Sequence, residues 1–352
     1  MKLFTPFTQR SVSLRNRIVV APMCEYSATD GLPNDWHFVH LGSRAVGGAG
    51  LLITEATAIS PEGRISAGDV GLWNEAQQQA WQPIVAFIKA HGAAAGVQLA
   101  HAGRKASSMR PWEGGGPLAA DAGAWPTVAP SAIPFDTHWH VPQALDAAGI
   151  AQVIADFRAA AERALAAGFQ LIELHGAHGY LLHQFLSPLS NQRTDQYGGS
   201  FENRTRLVRE VIAAVREVWP EHLPLWLRIS ATDWSEGGWD IEQTVQLARE
   251  VKSMGVDLVD VSSGGLIAHV KVPLAPGYQV PFAARVRHDA GVATGAVGLI
   301  TESTHAARII DEGAADLVLI ARESLRDPYF PRRAAQELGV TIPAPEQYQR
   351  AW

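Results

Sequence analysis

Three residues that lie close together in the sequence, His175, His178 and Tyr180, have the types and spacing of a catalytic group. Two imidazoles three residues apart at a strand end can both donate to one oxygen atom, and a phenol two residues further on can deliver a proton. Such a group would polarise a carbonyl and protonate the carbon beside it. The alternative is a pair of hydrogen-bonded core histidines. A zinc site is disfavoured because the sequence offers no obvious third or fourth ligand.

Two further segments have the composition of a phosphate-binding site. Residues 295–298 (Gly-Ala-Val-Gly) and the pair Ala321 and Arg322 each follow a predicted strand. Backbone N–H groups and helix N-termini bind phosphate at such positions in barrel enzymes, and an arginine adds a charge-assisted contact. Taken alone, both segments are more typical of tight turns. No Gly-x-Gly-x-x-Gly motif stands between a strand and a helix, so a nicotinamide cofactor would have no dedicated Rossmann domain.

The single cysteine, Cys24, follows Pro22 and Met23 directly after the first predicted strand. It is either a small buried hydrophobic residue or a thiol or thiolate that faces a cofactor and tunes its potential. One cysteine excludes an internal disulfide, a four-cysteine zinc site and a cysteine-ligated iron–sulfur cluster.

Short apolar runs alternate with amphipathic stretches along the chain and predict the elements that position these residues. Continuous apolar runs are typical of buried parallel strands, and apolar residues every three to four positions are typical of helices. The predicted strands are residues 17–21, 51–55, 96–99, 171–174, 225–229, 258–261, 292–294 and 317–320. The predicted helices are residues 37–46, 76–91, 150–167, 201–218, 241–254, 281–289, 304–312 and 329–338. Eight such units predict a closed (β/α)8 TIM barrel with its active site at the C-terminal ends of the strands.

Two segments fall outside the repeating unit. Residues 1–16 are expected to form a hairpin that closes the barrel floor. Residues 102–145, rich in Gly, Pro and Trp, form an insertion after the third strand, which is more often a lid or binding loop than a domain. No linker or charge run marks a boundary, so residues 1–352 are expected to form one domain.

The composition narrows the class of protein. Lys and Arg number 29 against 35 Asp and Glu, a net charge of −6, which argues against a broad nucleic-acid-binding face. The N-terminal residues lack the apolar core of a secretion signal, and no apolar run approaches the length of a membrane-spanning helix. We therefore expect a cytoplasmic protein with neither a nucleic-acid nor a membrane partner.

The chain resembles the Old Yellow Enzyme family of flavin-dependent ene-reductases, specifically its bacterial thermophilic-like subgroup, nearly from end to end. The markers are residues 15–17 (Arg-Asn-Arg), 21–24 (Ala-Pro-Met-Cys), 98–105 (Gln-Leu-Ala-His-Ala-Gly-Arg-Lys), 175–180 (His-Gly-Ala-His-Gly-Tyr) and a long segment over 185–204 that begins Phe-Leu-Ser-Pro and contains Tyr-Gly-Gly-Ser. The last of these is hard to obtain by chance.

The resemblance implies non-covalently bound FMN. The residues expected around its ring are Ala21, Pro22, Met23, Cys24, Ala56, Gln98 and Arg228. Gln98 would lie at the pyrimidine edge, Cys24 near N5 and O4, and Arg228 would stabilise the anionic reduced flavin and so raise its potential.

The resemblance also assigns the phosphate site to Gly298, Ala321 and Arg322. The family usually has glycine at the position of Ala321. A methyl group there crowds a contact between the backbone and the phosphate.

The activity implied is NAD(P)H-dependent reduction of the C=C bond of α,β-unsaturated carbonyl or nitro compounds, including xenobiotics. His175 and His178 would bind the substrate oxygen, Tyr180 would supply the proton to the α-carbon after hydride transfer from flavin N5, and Tyr26 would line the substrate side. NADPH or NADH would reduce the ring at the same site, which implies ping-pong turnover.

The C-terminal tail, residues 339–352, is expected at a subunit interface. In the subgroup, an arginine at the position of Arg350 reaches into the neighbouring active site, so the resemblance implies a homodimer or homotetramer with Arg350 binding substrate in trans. A terminal segment is otherwise more often frayed than functional.

The sequence leaves several alternative functions and residue roles open. Another FMN barrel, of the tRNA-dihydrouridine synthase or dihydroorotate dehydrogenase type, is disfavoured by the net charge and the His–His–Tyr cluster. A flavin-binding protein without turnover would not need a proton donor. Arg104 and Lys105 either meet the extra phosphate of NADPH or anchor the insertion, and the insertion is expected to set the substrate preference.

Overall fold

The computed structural model describes residues 1–352 and contains twelve strands in chain order. They are β1 Phe7–Gln9, β2 Val12–Leu14, β3 Ile18–Val20, β4 Leu51–Ala58, β5 Ala94–Ala100, β6 Val128–Ala129, β7 Gln143–Ala144, β8 Leu171–Gly176, β9 Leu225–Ser230, β10 Leu258–Ser262, β11 Ala293–Ala296 and β12 Leu317–Ile320. The helices are α1 Asp35–Val46, α2 Glu75–Ala90, α3 Ala147–Ala167, α4 Leu181–Leu186, α5 Phe201–Arg204, α6 Arg206–Val218, α7 Ile241–Ser253, α8 Val280–Ala290, α9 Ser303–Asp311, α10 Arg322–Arg326 and α11 Phe330–Glu337.

Eight of these strands form a closed parallel barrel in the order β3-β4-β5-β8-β9-β10-β11-β12, and β12 pairs with β3 through Val318 and Ile18. The eight barrel strands coincide with the eight predicted strands, and β12 has the predicted bounds. The predicted (β/α)8 fold is therefore confirmed. Every residue of β4 and β8 is buried, as expected for strands covered on the inside by the barrel core and on the outside by helices.

Polar side chains cap the N-terminal ends of two of the helices. Asn74 precedes α2 and its side chain accepts a hydrogen bond from the backbone N–H of Gln77, while Asp240 caps α7 in the same way through Gln243. Such caps satisfy backbone donors that have no partner within the helix. At the other end of α3, Gly168 takes a left-handed conformation and ends the helix where the sequence predicted.

The prediction of one helix over residues 201–218 is wrong. The segment breaks at Thr205 into α5 and α6, and the Thr205 hydroxyl donates to the carbonyl oxygen of Phe201 at 2.9 Å. The structure also contains α4 and α10, which were not predicted, because helices of six and five residues are too short to show an apolar period.

The N-terminal hairpin, β1 and β2, lies against the barrel floor as predicted. Gln9 Oε1 accepts a hydrogen bond from Trp226 Nε1 at 2.7 Å, and Arg10 forms an ion pair with Asp257 at 2.7 Å. Trp226 and Asp257 stand at the start of β9 and just before β10, so the hairpin contacts the N-terminal ends of the strands.

Residues 102–145 join β5 to α3 at the opposite end of the barrel, with short 3-10 turns and the two-residue parallel pair β6–β7. Arg104 fixes this segment to the mouth. It donates to the carbonyl oxygens of Ile133 and Pro134 within the insertion and to that of Leu266 in the loop after β10. No helix of the chain combines the length and the apolar character needed to cross a membrane.

Candidate active site

The barrel brings all but one of the predicted site residues to the C-terminal ends of its strands. Ala21, Pro22, Met23 and Cys24 follow β3, Ala56 lies in β4, Gln98 in β5, His175 in β8, Arg228 in β9, Gly298 after β11, and Ala321 and Arg322 after β12, with Tyr26, His178 and Tyr180 in the adjoining loops. A register shift in β4 between Ile53 and Ala56 turns the backbone just before Ala56. The exception is Arg350.

Arg350 is exposed on the C-terminal tail, away from the mouth. The tail is held at the outside of the barrel, where Trp352 stacks on Tyr329 and lies against the Arg332 guanidinium. Arg332 in turn donates to the carbonyl oxygen of Val46 at the end of α1. Within one chain, Arg350 therefore does not join the other site residues.

The two histidines of the predicted clamp face each other. His175 Nε2 and His178 Nδ1 are 3.4 Å apart, and the rings are nearly perpendicular. His178 has a left-handed backbone conformation (φ 59°), which is strained for a residue with a side chain and is typical of functional loops. Its backbone N–H donates to the Ser230 hydroxyl at the end of β9, which anchors the loop.

The outer nitrogens of the same rings also have partners. His175 Nδ1 accepts from the backbone N–H of Ala177 at 3.4 Å, so the proton of the neutral His175 ring sits on Nε2, which faces His178. His178 Nε2 lies 2.7 Å from the Ser262 hydroxyl, which donates to Gln279 Oε1 at 3.4 Å, so His178 Nε2 donates to Ser262 and His178 Nδ1 accepts from His175. If the Ser262 hydroxyl turned to donate to His178 Nε2, the His178 proton would move to Nδ1, and both facing nitrogens would donate to the oxygen atom of a ligand.

Burial keeps both imidazoles neutral. It lowers the pKa of His175 and of His178 well below the usual value, and the positive charge of Arg228 lowers both pKa values further. The pair can therefore donate hydrogen bonds but does not carry charge at neutral pH.

Tyr180 lies beside this pair and is protonated. Its ring centroid is 5.0 Å from that of His175, and burial raises the pKa of the phenol well above its usual value, with Cys24 and Asp69 adding to the shift. Lys105 Nζ lies over the face of the Tyr180 ring, 5.2 Å from its centroid. The phenol is thus protonated and has a basic amine over its ring.

Cys24 and Tyr26 form the opposite wall. Burial raises the pKa of the Cys24 thiol well above its usual value, and Asp69 and Glu55 raise that pKa further, so the residue is a thiol rather than a thiolate. Tyr26, also left-handed (φ 50°), has a pKa raised by burial and by its neighbours Cys24 and Tyr180. From the insertion, Trp112 covers the Tyr26 ring at 5.9 Å between centroids.

The inward-pointing side chains of β5, β8, β9 and β10 form a polar layer between the mouth and the barrel core. Gln98 Nε2 donates to Glu173 Oε1 at 2.8 Å, which leaves the Gln98 amide oxygen available to a ligand. Arg228 Nε lies 2.8 Å from Asp260 Oδ2, but the angle is not that of a hydrogen bond. Burial raises the pKa of Glu173 to about 8 and that of Asp260 to about 6.

The phosphate residues of the prediction line one cavity of about 140 Å³. Gly298 has φ 121°, and a Cβ there would lie 3.0 Å from Gln279 Nε2 and 3.1 Å from the Tyr278 ring, so only glycine fits. Arg322 begins α10 and Arg326 ends it, which gives the cavity two guanidinium groups. Ala321 also lines this cavity. Its methyl group is the one expected to crowd a contact between the backbone and the phosphate.

The residues at this mouth fit FMN. The buried Arg228 guanidinium offers a positive charge, Gln98 offers an amide oxygen, and the Gly298–Arg322 cavity offers cationic partners for a phosphate. No group of three or more His, Cys, Asp or Glu side chains is arranged to hold a metal ion.

Arg104 and Lys105 anchor the insertion. Lys105 Nζ donates to the carbonyl oxygens of His178 and Gly265, both at 2.9 Å, and burial lowers the pKa of this amine to about 7. Since Arg104 is also bound to backbone carbonyls, neither side chain is free to meet the extra phosphate of NADPH.

Sequence reasoning missed several residues of the site. Glu173 and Asp260 interrupt otherwise apolar buried strands, and a charge in such a strand was a signal that could have found them. Tyr278 and Gln279 line the phosphate cavity at the start of α8. They follow a long loop without periodicity, so the sequence carried no comparable signal for them.

The TIM barrel, the buried polar layer, the predicted phosphate cavity and the neutral His–His–Tyr group at one mouth fit a flavin-dependent oxidoreductase. The profile of the NADH:flavin oxidoreductase / NADH oxidase family matches residues 2–340, and the chain belongs to this family. The resemblance to the Old Yellow Enzyme family is thereby confirmed, and the enzyme uses FMN and NAD(P)H.

Individual relatives agree with this assignment. The chain is 51% identical over 353 residues to the NADPH dehydrogenase of Listeria innocua serovar 6a. The matched region covers 100% of this chain and 99% of the relative. The chain is 49% identical over 352 residues to the NADPH dehydrogenase of Geobacillus sp. (strain WCH70), with 99% and 98% covered. Among solved structures, morphinone reductase in complex with tetrahydroNAD superposes with a TM-score of 0.79 at 31% identity, over 98% of this chain and 92% of that one.

Proposed function

We propose that the enzyme reduces the C=C bond of α,β-unsaturated carbonyl or nitro compounds, with NADPH or NADH as the reductant. The observation that carries this proposal is the pair of neutral imidazoles whose facing nitrogens lie 3.4 Å apart, next to the protonated phenol of Tyr180. Two imidazoles that both donate to one point would bind an oxygen atom, and a phenol beside them would protonate a carbon near that oxygen. Catalysis of this kind requires both groups at one site.

The chain's own residues have distinct tasks in this reaction. His175 and His178 bind the carbonyl or nitro oxygen and withdraw electron density from the conjugated C=C bond. Their neutral state suits this role, because a neutral N–H donates to the oxygen without losing its proton. Tyr180 transfers its proton to the α-carbon, and Lys105 stabilises the phenolate that forms.

FMN, when bound, would supply the hydride-transfer chemistry between NAD(P)H and the alkene. Arg228, Gln98, Ala56 and residues 21–24 would hold the ring, and Gly298, Ala321 and Arg322 the phosphate. Because nicotinamide and alkene use one site, the two half-reactions alternate, which is ping-pong turnover.

Assembly is part of the proposal. Arg350 is exposed on the tail, so a neighbouring copy could receive it at its mouth, and we propose a homodimer or homotetramer in which Arg350 binds substrate in trans. Trp112 of the insertion contacts the Tyr26 ring, and on this contact we propose that the insertion is a lid that selects the alkene. We place the enzyme in the cytoplasm, where NAD(P)H is available.

The substitution Tyr180→Phe tests the proposal, because it removes the proton donor while keeping the ring. We expect reoxidation of the reduced enzyme by 2-cyclohexenone to slow by about a hundredfold or more, while reduction by NADPH changes little. Stopped-flow absorbance of FMN measures both half-reactions. Tyr197→Phe is the matched control, because the Tyr197 hydroxyl donates to Glu210 outside the site. Equal loss in both half-reactions of Tyr180→Phe would contradict the proposal.

A further inference from the structure

The loop that carries His178 and Tyr180 is held at Gly179 by two consecutive side chains of α4. The backbone N–H of Gly179 donates to His183 Nδ1 at 2.9 Å, and its carbonyl oxygen accepts from Gln184 Nε2 at 2.7 Å. Both side chains are fully buried. Gly179 has φ 72°, and a Cβ there would lie 2.2 Å from the carbonyl oxygen of Gly265. The side chains of α4 therefore position the loop here through the backbone N–H and carbonyl groups of Gly179.

His183 connects this loop to a buried carboxylate. His183 Nε2 lies 2.8 Å from Asp233 Oδ1, and the other carboxylate oxygen accepts from the Ser187 hydroxyl at 2.6 Å and from the backbone N–H of Trp239 at 2.7 Å. His183, Asp233 and Ser187 are all 0% exposed. The mechanism proposed above does not use any of these three side chains.

The hydrogen bonds fix the tautomer of His183. Because Nδ1 accepts from Gly179, the ring proton must be on Nε2, which donates it to Asp233. Burial alone would raise the pKa of Asp233, but the electrostatic attraction of His183 and the hydrogen bonds from His183, Ser187 and Trp239 outweigh it and lower that pKa. Asp233 is therefore a carboxylate, and it holds His183 in the only tautomer that can accept from the loop.

We propose that His183, oriented by Asp233, is a positioning residue for the proton donor. Its acceptor Nδ1 fixes the Gly179 peptide and with it the directions of the His178 and Tyr180 side chains on either side. The role rests on the proposed function of Tyr180. A wrong tautomer would place an N–H against the N–H of Gly179, and the loop would have to move.

Two substitutions, each of which can replace one ring nitrogen by an amide group, separate the two contacts of His183. In His183→Asn, the amide oxygen can occupy the position of Nδ1 and keep the acceptor for Gly179. In His183→Gln, the amide reaches the position of Nε2 and keeps the contact with Asp233, but the Gly179 N–H loses its acceptor. The variants are made in the FMN-loaded full chain, and both half-reactions are followed by stopped flow with NADPH and 2-cyclohexenone.

We expect His183→Gln to slow reoxidation by the alkene on the order of tenfold to a hundredfold, since displacements of about 1 Å cost that much. His183→Asn should stay within about threefold of the wild type, because small changes in orientation cost less. Reduction by NADPH and the dissociation constant of FMN should change little in either variant, which a general loss of folding would not produce. A slowly exchanging imidazole N–H resonance should be present in the wild type and absent in His183→Asn.

Three results would overturn the inference. Wild-type reoxidation in His183→Gln would show that the contact with Gly179 has no positioning role. Parallel loss of both half-reactions and of FMN binding would show a structural role only. Tyr180→Phe is measured alongside: if it is slow while His183→Gln is fast, this inference fails and the proposed function stands. If Tyr180→Phe reoxidises at the wild-type rate, both fail.

Discussion

The buried carboxyl group of Glu173 provides a prediction on stability. Glu173 lies on β8 and is 0% exposed. Burial, together with the negative charge of Asp260, raises the pKa of its carboxyl group from 4.5 to about 8. The folded state therefore holds a proton at Glu173 between these pH values, whereas the unfolded chain has lost it. Stability from this site is complete below pH 4.5 and falls as the pH rises through about 8.

The substitution Glu173→Gln should remove this dependence. A glutamine is neutral at every pH, its Oε1 can still accept from Gln98 Nε2, and its amide nitrogen takes the place of Oε2, which has no hydrogen-bond partner. The free energy of unfolding of the wild type should fall relative to the variant by up to about 1.4 kcal/mol per pH unit within the window. Asp260, whose pKa burial raises to about 6, is present in both proteins, and its negative charge is part of what raises the pKa of Glu173.

Urea unfolding of the FMN-loaded protein, followed by circular dichroism at fixed excess FMN from pH 5 to pH 9, measures the difference. Glu217→Gln is the matched control, because the Glu217 side chain is 69% exposed on α6 and its charge stays in water. Stability profiles of the wild type and Glu173→Gln that run parallel over the whole range would refute the reasoning that Glu173 is protonated in the fold.

Four other predictions concern the cofactor and the assembly. Arg322→Ala should weaken FMN binding by about tenfold or more and leave riboflavin binding nearly unchanged, because it removes a phosphate partner; equal losses by fluorescence titration would contradict this. Gly298→Ala should also lower FMN occupancy, since its Cβ would meet Gln279 at 3.0 Å; full occupancy would show that the cavity can adjust. Cys24 should react slowly with iodoacetamide at pH 7, because burial raises the thiol pKa; rapid alkylation detected by mass spectrometry would indicate a thiolate. Deletion of residues 348–352 should raise the KM for the alkene without unfolding the barrel, and unchanged kinetics would exclude a role of Arg350 in trans.

The fold was predictable because each strand is followed by an amphipathic helix, and the strand runs are apolar enough to be recognised without neighbours. The ends of elements were less predictable. β4 runs three residues past its predicted end at Glu55, and the break at Thr205 depends on a local hydrogen bond that propensity does not show.

The candidate site was predictable where its residues are adjacent in sequence, as with His175, His178 and Tyr180. The hydroxyl that faces His178 Nε2 belongs to Ser262, 84 positions away, and the closed barrel brings it there. The tautomers, and the buried partners that hold the loop, are therefore properties of the fold rather than of any local motif.

The most direct test of the central claim is an anaerobic titration of the purified enzyme. NADPH should bleach the yellow absorbance of bound FMN, and 2-cyclohexenone added afterwards should restore it, with one equivalent of alkene consumed for each FMN reoxidised. A protein whose bleached FMN is not restored by electron-poor alkenes, or that binds no FMN, would contradict the account.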